Sequence, residues 1–123
     1  MAKIAIIEDE QTISEMYRLK FELEGFDVET AENGKLGLKL LEKMKPDIVL
    51  LDIMMPEMNG DEVLAKTRGQ SWGKNLKVIV LTNGGEQEIP PSLKNLGVAA
   101  VVLKSDMTPH EVADLVKNQL AKT

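Results

Sequence analysis

The sequence has no cysteine and only one histidine, His110. The first absence excludes a disulfide framework, a thiolate metal centre and a cysteine nucleophile. The second excludes a histidine-rich metal site. No apolar run is long enough to cross a bilayer, so membrane insertion is not expected. The amino terminus, MAKIAIIEDE, lacks the order of a signal peptide because acids follow its short apolar run at once, and a cytoplasmic location is the expectation. An excess of positive charge is also missing. Fifteen Lys and Arg against twenty Asp and Glu give a net charge of −5, which leaves no basic face for direct contact with nucleic acid.

What is there is an ordinary globular balance of 43% apolar and 28% charged residues, in a length of 123 that suits one domain with a real core. Five short apolar runs alternate with longer amphipathic segments. The runs are Lys3 to Ile7, Phe26 to Thr30, Asp47 to Leu51, Lys77 to Thr82 and Val98 to Leu103. Most are rich in Val and Ile without polar alternation, the pattern of parallel strands covered on both faces. The second run is more polar and is expected at an edge. A helix is predicted from Gln11 to Glu24, with Ile13, Met16, Tyr17 and Leu23 as its apolar positions, Leu19 and Phe21 alongside, and Gly25 ending it. Another runs to Met44 from an Asn33 N-cap and presents Leu36, Leu40, Leu41 and Met44. A short third helix covers about Gly60 to Arg68. In TPHEVADLVKNQL, Thr108 fits an N-cap, Pro109 the first helical position and Glu111 the capping-box acid. The segment GGEQEIPPSLKNLG predicts a long loop and only a short helix near Pro91 to Asn95. Trp72 is expected as a partly buried anchor, Met54 and Met55 as packing residues, and His110 as a helix residue without chemistry.

Five βα units in one chain imply an α/β fold: a doubly wound, five-stranded parallel sheet in the flavodoxin-like order 2-1-3-4-5, with helices on both faces. The functional crevice of such sheets lies at the carboxyl ends of the strands. There, Glu8, Asp9 and Glu10 follow the first strand, Asp52 ends the third, Thr82 the fourth and Lys104 the fifth. Carboxylates crowded together repel and raise one another's pKa unless a cation sits among them. An all-oxygen donor set suits a hard cation, and Mg²⁺ fits best because it takes one or two carboxylates plus phosphate oxygens. An aspartate can accept a phosphoryl group as an acyl phosphate, a reaction that needs positioning and charge neutralisation above all. The metal would hold one phosphoryl oxygen, Lys104 a second and the Thr82 hydroxyl a third. Asp52, at the end of an apolar strand, is placed to be modified.

At these residues the sequence resembles the receiver domain of bacterial two-component response regulators, of the chemotaxis-regulator-like kind, over essentially the whole chain, residues 1–123 as a single domain. IIEDE resembles the family's acidic pair, which implies Glu8 and Asp9 at the Mg²⁺ site. LLDIMMPEMNG is similar to the motif around the phosphoacceptor aspartate, here Asp52, and the family's metal-ligating backbone carbonyl falls on Met54. VIVLTN and VVLKSD match the strands that end in the switch hydroxyl, Thr82, and the phosphate-binding lysine, Lys104. The resemblance implies a phosphoprotein switch in signal transduction. A histidine kinase or histidine phosphotransfer protein would feed it, and a downstream protein target would read it. Three positions depart from the pattern: Ser105 replaces the usual proline, Asn83 the usual small residue, and Val102 the aromatic switch residue placed two before the lysine.

Two other functions are compatible with parts of the sequence. A phosphorylation-independent interaction module would not need Asp52 or Lys104. A Mg²⁺-dependent phosphatase with an aspartyl-phosphate intermediate would carry a second aspartate two residues after the nucleophile, where this chain has Met54.

Overall fold

The computed structural model describes residues 2–55, 57–84 and 89–122. The elements follow in the order β1 (Lys3–Ile7), α1 (Gln11–Leu23), β2 (Asp27–Ala31), α2 (Gly34–Met44), β3 (Ile48–Asp52), α3 (Gly60–Arg68), β4 (Lys77–Thr82), β5 (Ala100–Leu103) and α4 (Pro109–Ala121). Short 3-10 helices lie at Ser71–Gly73 and Pro91–Asn95. The sheet is parallel in the order β2-β1-β3-β4-β5, with β2 at an edge as its polarity predicts.

Alternate residues of each strand point to opposite faces, so the strands feed two cores. Ile4, Ile6, Ile48, Leu50, Ile79, Leu81 and Val102 meet Tyr17 and Phe21 of α1 and Val112, Ala113 and Val116 of α4. Ala5, Ile7, Val49, Leu51, Val78 and Val80 meet Leu41 of α2, Val63 and Leu64 of α3, and Leu93. The sheet interior is therefore dry on both sides. Its polar chemistry is confined to the strand ends.

The helix caps follow from local sequence. Asn33 Oδ1 accepts the Leu36 N–H at 2.8 Å, and the Thr108–Glu111 capping box is complete at 3.0 and 3.2 Å. The inward faces of α1 and α2 differ from the prediction. Met16, Leu19 and Leu23 are exposed at 41%, 59% and 85%, and the buried positions of α1 are Ser14, Tyr17 and Phe21. At about 100° per residue the two sets lie on opposite sides of the helix, and the larger aromatic area is the side buried. In α2, Leu36 is exposed while Gly34, Gly37 and Leu41 face inward. A Cβ on Gly37 would lie 2.8 Å from Ile7, so this helix packs too closely on the sheet for a side chain there.

Strand boundaries shift slightly. Phe26 bonds back to Phe21 and packs edge-on against its ring rather than opening β2. β3 extends to include Asp52. β5 is only four residues long, because Gly97, at φ 70°, turns the chain and Val98 packs into the core beside it. The crossover from β4 to β5 contains the Pro91–Asn95 3-10 helix where a full helix would sit, as the paired prolines predict; residues 85–88 of its loop lie outside the described residues. Trp72 is partly buried against the α2/α3 core.

Candidate functional site

Asp52 is the last residue of the central strand, and the topology surrounds it. β1 on one side delivers Glu8, and β4 on the other delivers Thr82. β5 beyond delivers Lys104, whose N–H donates to the Thr82 carbonyl at 2.9 Å. Asp52 is 2% exposed, Glu8 1% and Thr82 fully buried. An ionised carboxylate so placed needs partners. The Lys104 ammonium donates to Glu8 Oε1. It lies 3.4 Å from Asp52 Oδ2, and the Met54 N–H donates to Asp52 Oδ1 at 3.2 Å.

One ammonium does not neutralise this set. Oxygens of Glu8, Asp9 and Asp52 lie within 4.8 Å of one another. Burial, then hydrogen bonding to Glu8 and its charge, push the Asp52 carboxyl up from 3.8 to about 8 against the pull of Lys104. Burial alone would lower the Lys104 ammonium, but the Glu8 hydrogen bond and the charges of Glu8 and Asp52 outweigh it and raise the pKa. Glu8 Oε2 is buried and has no hydrogen-bond partner. A buried acceptor left unpaired is costly. The all-oxygen set, the orphaned Glu8 oxygen and the upward push on Asp52 all fit a hard divalent cation bound among the three acids. A cavity of about 520 Å³ opens beside Glu8 and Asp9, between α1 and α2.

The other sequence candidates fall into place unevenly. The Thr82 hydroxyl is at the same rim, but it accepts from the Gly84 N–H at 3.2 Å and lies 3.4 Å from the Gly84 carbonyl, so it is engaged with the following loop rather than with Asp52. Met54 brings its backbone to Asp52, while its side chain is 54% exposed. Met55 is the buried one, which corrects the expectation that both pack. Val102 is deep in the α1/α4 core at 1% exposure, whereas Val101 is 45% exposed on the other face. Val101, not Val102, is therefore the residue of the pair at the outer margin of the strand. Asn83 is exposed, and the Lys104–Ser105 bond is trans. His110 is a surface residue 3.5 Å from Asp114. Tyr17 was legible only as core. Burial raises the pKa of its hydroxyl, with the Lys104 charge opposing and that of Glu8 adding.

Comparison with known proteins gives a consistent answer. A family model described as the response regulator receiver domain matches residues 4–117. The sporulation initiation phosphotransferase F of Bacillus subtilis is 33% identical over 118 residues, which are 96% of this chain and 93% of that protein. A transcriptional regulatory protein CpxR homolog of Haemophilus influenzae is 46% identical over 87 residues, 70% of this chain but 36% of its own length. The chain likewise spans half or less of several other curated relatives. Among solved structures, the chemotaxis protein CheY4 of Vibrio cholerae superposes with a TM-score of 0.88 at 27% identity, covering 96% of this chain and 98% of that one.

Proposed function

The chain belongs to the response regulator receiver domain family of two-component systems, and on that premise we propose that Asp52 is its phosphoacceptor, served by Mg²⁺, Lys104 and Thr82. The observation that carries this reading is the buried Asp52 at the end of the central strand, with Lys104 at 3.4 Å and an unpaired Glu8 oxygen beside it. Glu8, Asp9 and Asp52 would hold the metal, together with the Met54 carbonyl. Bound there, the metal neutralises phosphoryl oxygens and lets Asp52 ionise at neutral pH.

The donor is a phosphohistidine of a histidine kinase or phosphotransfer protein. An oxygen of ionised Asp52 attacks phosphorus, a new P–O bond forms and the P–N bond breaks. The departing imidazole keeps the electron pair and takes up a proton. The phosphoryl group brings negative charge to an already acidic rim. Lys104 answers it by moving its hydrogen bond from Glu8 to a phosphoryl oxygen. The Thr82 hydroxyl answers it by leaving Gly84 and donating to another. Those two exchanges alter the loop after β4 and the end of β5, and a downstream protein target reads the changed surface. Turnover of small phosphoesters is not expected, because Met54 stands where a phosphatase of the aspartyl-phosphate type carries its acid.

The test is incubation with acetyl phosphate, followed by intact mass measurement with Mg²⁺ and with EDTA. One phosphoryl group should appear only with Mg²⁺. Labelling that ignores EDTA would remove the metal from the account. Partner capture that is indifferent to Asp52→Asn would support the interaction-module reading instead.

A further inference from the structure

Arg68, the last residue of α3, lies at the opposite end of the sheet and is engaged entirely by backbone. Its Nε–H donates to the Leu96 carbonyl at 2.7 Å. Nη1 donates to the carbonyls of Gly73 at 2.7 Å and Leu76 at 2.8 Å, with that of Lys74 at 3.4 Å. Nη2 donates to Gly97 at 3.1 Å. Among the described residues no carboxylate forms an ion pair with it. Partial burial lowers its pKa, and within the protein the carbonyl dipoles face the charge. The planar guanidinium fork is what allows one side chain to span two connections. Gly73 to Leu76 lead into β4, and Leu96 and Gly97 close the 3-10 helix and lead into β5.

β5 has unusual need of such a clip. It is a four-residue edge strand, paired with β4 alone. The crossover before it offers a short 3-10 helix rather than a full helix to pack on the sheet. Its first rung, the Ala99 N–H to the Val78 carbonyl at 2.9 Å, comes two residues after Gly97. Lys104 follows its last residue. Any tilt or slip of this strand displaces the ammonium that touches Glu8 and Asp52.

We propose that Arg68 is a positioning residue for Lys104: by fixing the two connections that precede β4 and β5, it sets where the lysine stands at the far end of the strand. The functional arm of this proposal rests on the reading of Lys104 as the phosphate-binding amine; the structural arm does not. Arg68→Lys keeps the charge but cannot reach both connections, and Arg68→Ala leaves a hole the size of a guanidinium. In Arg68→Lys, amide exchange at Gly97 to Val101 should rise about tenfold or more relative to the centres of β1 and β3, as local rather than global opening. Labelling from acetyl phosphate at saturating Mg²⁺ should slow about tenfold or more, within the roughly hundredfold that a 1 Å misplacement can cost, while Mg²⁺ affinity stays unchanged. Millimolar guanidinium chloride, far below denaturing levels, should restore part of the rate in Arg68→Ala and leave wild type unaffected. Exchange that is unchanged, or that rises equally in β1 and β3, overturns the clip. Faster exchange with undiminished labelling overturns the positioning role. If wild type itself takes no label, the reading of Asp52 fails, and the exchange result still decides the clip.

Discussion

The two ends of the sheet satisfy charge in opposite ways. At the carboxyl end, charges face charges: Glu8, Asp9 and Asp52 crowd one ammonium, a Glu8 oxygen is left without a partner, and the Asp52 carboxyl is driven up to about 8. At the amino end, beside β4 and β5, two cations face carbonyls and, among the described residues, form no ion pair. Arg68 is held by backbone oxygens of two connections, and Lys77 donates to the carbonyls of Gln119 and Lys122 that close α4. The second arrangement is complete as it stands. The first is not: it lacks positive charge and has an acceptor to spare, and so it responds to an added cation or phosphoryl group. The difference teaches where a two-state element can lie in an otherwise dry and tightly packed fold.

The strongest way to break the comparison is to remove the ammonium that, among the described residues, pairs with Glu8 and Asp52. Lys104→Met leaves Glu8 and Asp52 buried against each other. Deleting one partner of a buried charge set destabilises by about 3 kcal/mol, and urea unfolding at pH 8 should show a loss of that order. The loss should shrink toward pH 5 as Asp52 takes up its proton. A pH-independent loss would mean that the acids do not repel as described.

Asp52→Asn works in the other direction. The folded-state pKa of Asp52 is raised above its unfolded value of 3.8, to about 8. The folded state therefore binds the proton more tightly, and stability falls as pH rises through that window. A neutral amide is spared this. The variant should be more stable than wild type by on the order of 1–2 kcal/mol at pH 8, with little difference near pH 4. Thermal unfolding across the pH range measures it, and a destabilised variant at pH 8 would contradict the raised pKa.

Metal binding sharpens the contrast further. Below pH 8 a bound Mg²⁺ must displace the Asp52 proton, so calorimetry in buffers of different ionisation enthalpy should detect proton release at pH 7, and affinity should climb toward pH 8. Glu8→Gln and Asp9→Ala should each weaken binding about tenfold or more, and Lys77→Met should not change it. Lys77→Met is also the smallest expected effect on stability. Two backbone carbonyls lose a donor at a partly exposed site, which amounts to about 1 kcal/mol in urea unfolding.

What could be read from the sequence follows the same division. The acidic end was legible because each apolar run breaks at a side chain with its own chemistry: Glu8, Asp52, Thr82 and Lys104 mark the strand ends whichever residue the strand stops on. The topology follows from those breaks and from the parallel strand pattern. The inward faces of the helices were less legible. α1 carries apolar residues on two sides, and periodicity alone cannot rank Met16 and Leu23 against Tyr17 and Phe21. In α2 the close approach is made by Gly34 and Gly37, which bear no hydrophobic signal. Val101 and Val102 are chemically alike, and only the register of β5 shows which one faces the core. Arg68 was not legible at all, because its partners are carbonyls, which every residue has.

The central claim is that Asp52, and no other carboxylate, takes the phosphoryl group. The most direct measurement is borohydride reduction of protein labelled with acetyl phosphate and Mg²⁺, followed by peptide sequencing. Reduction converts a phosphorylated aspartate to homoserine and leaves an unmodified one alone. The account predicts homoserine at position 52 and nowhere else. Homoserine at Asp9 or at another carboxylate, with Asp52 intact, would contradict it.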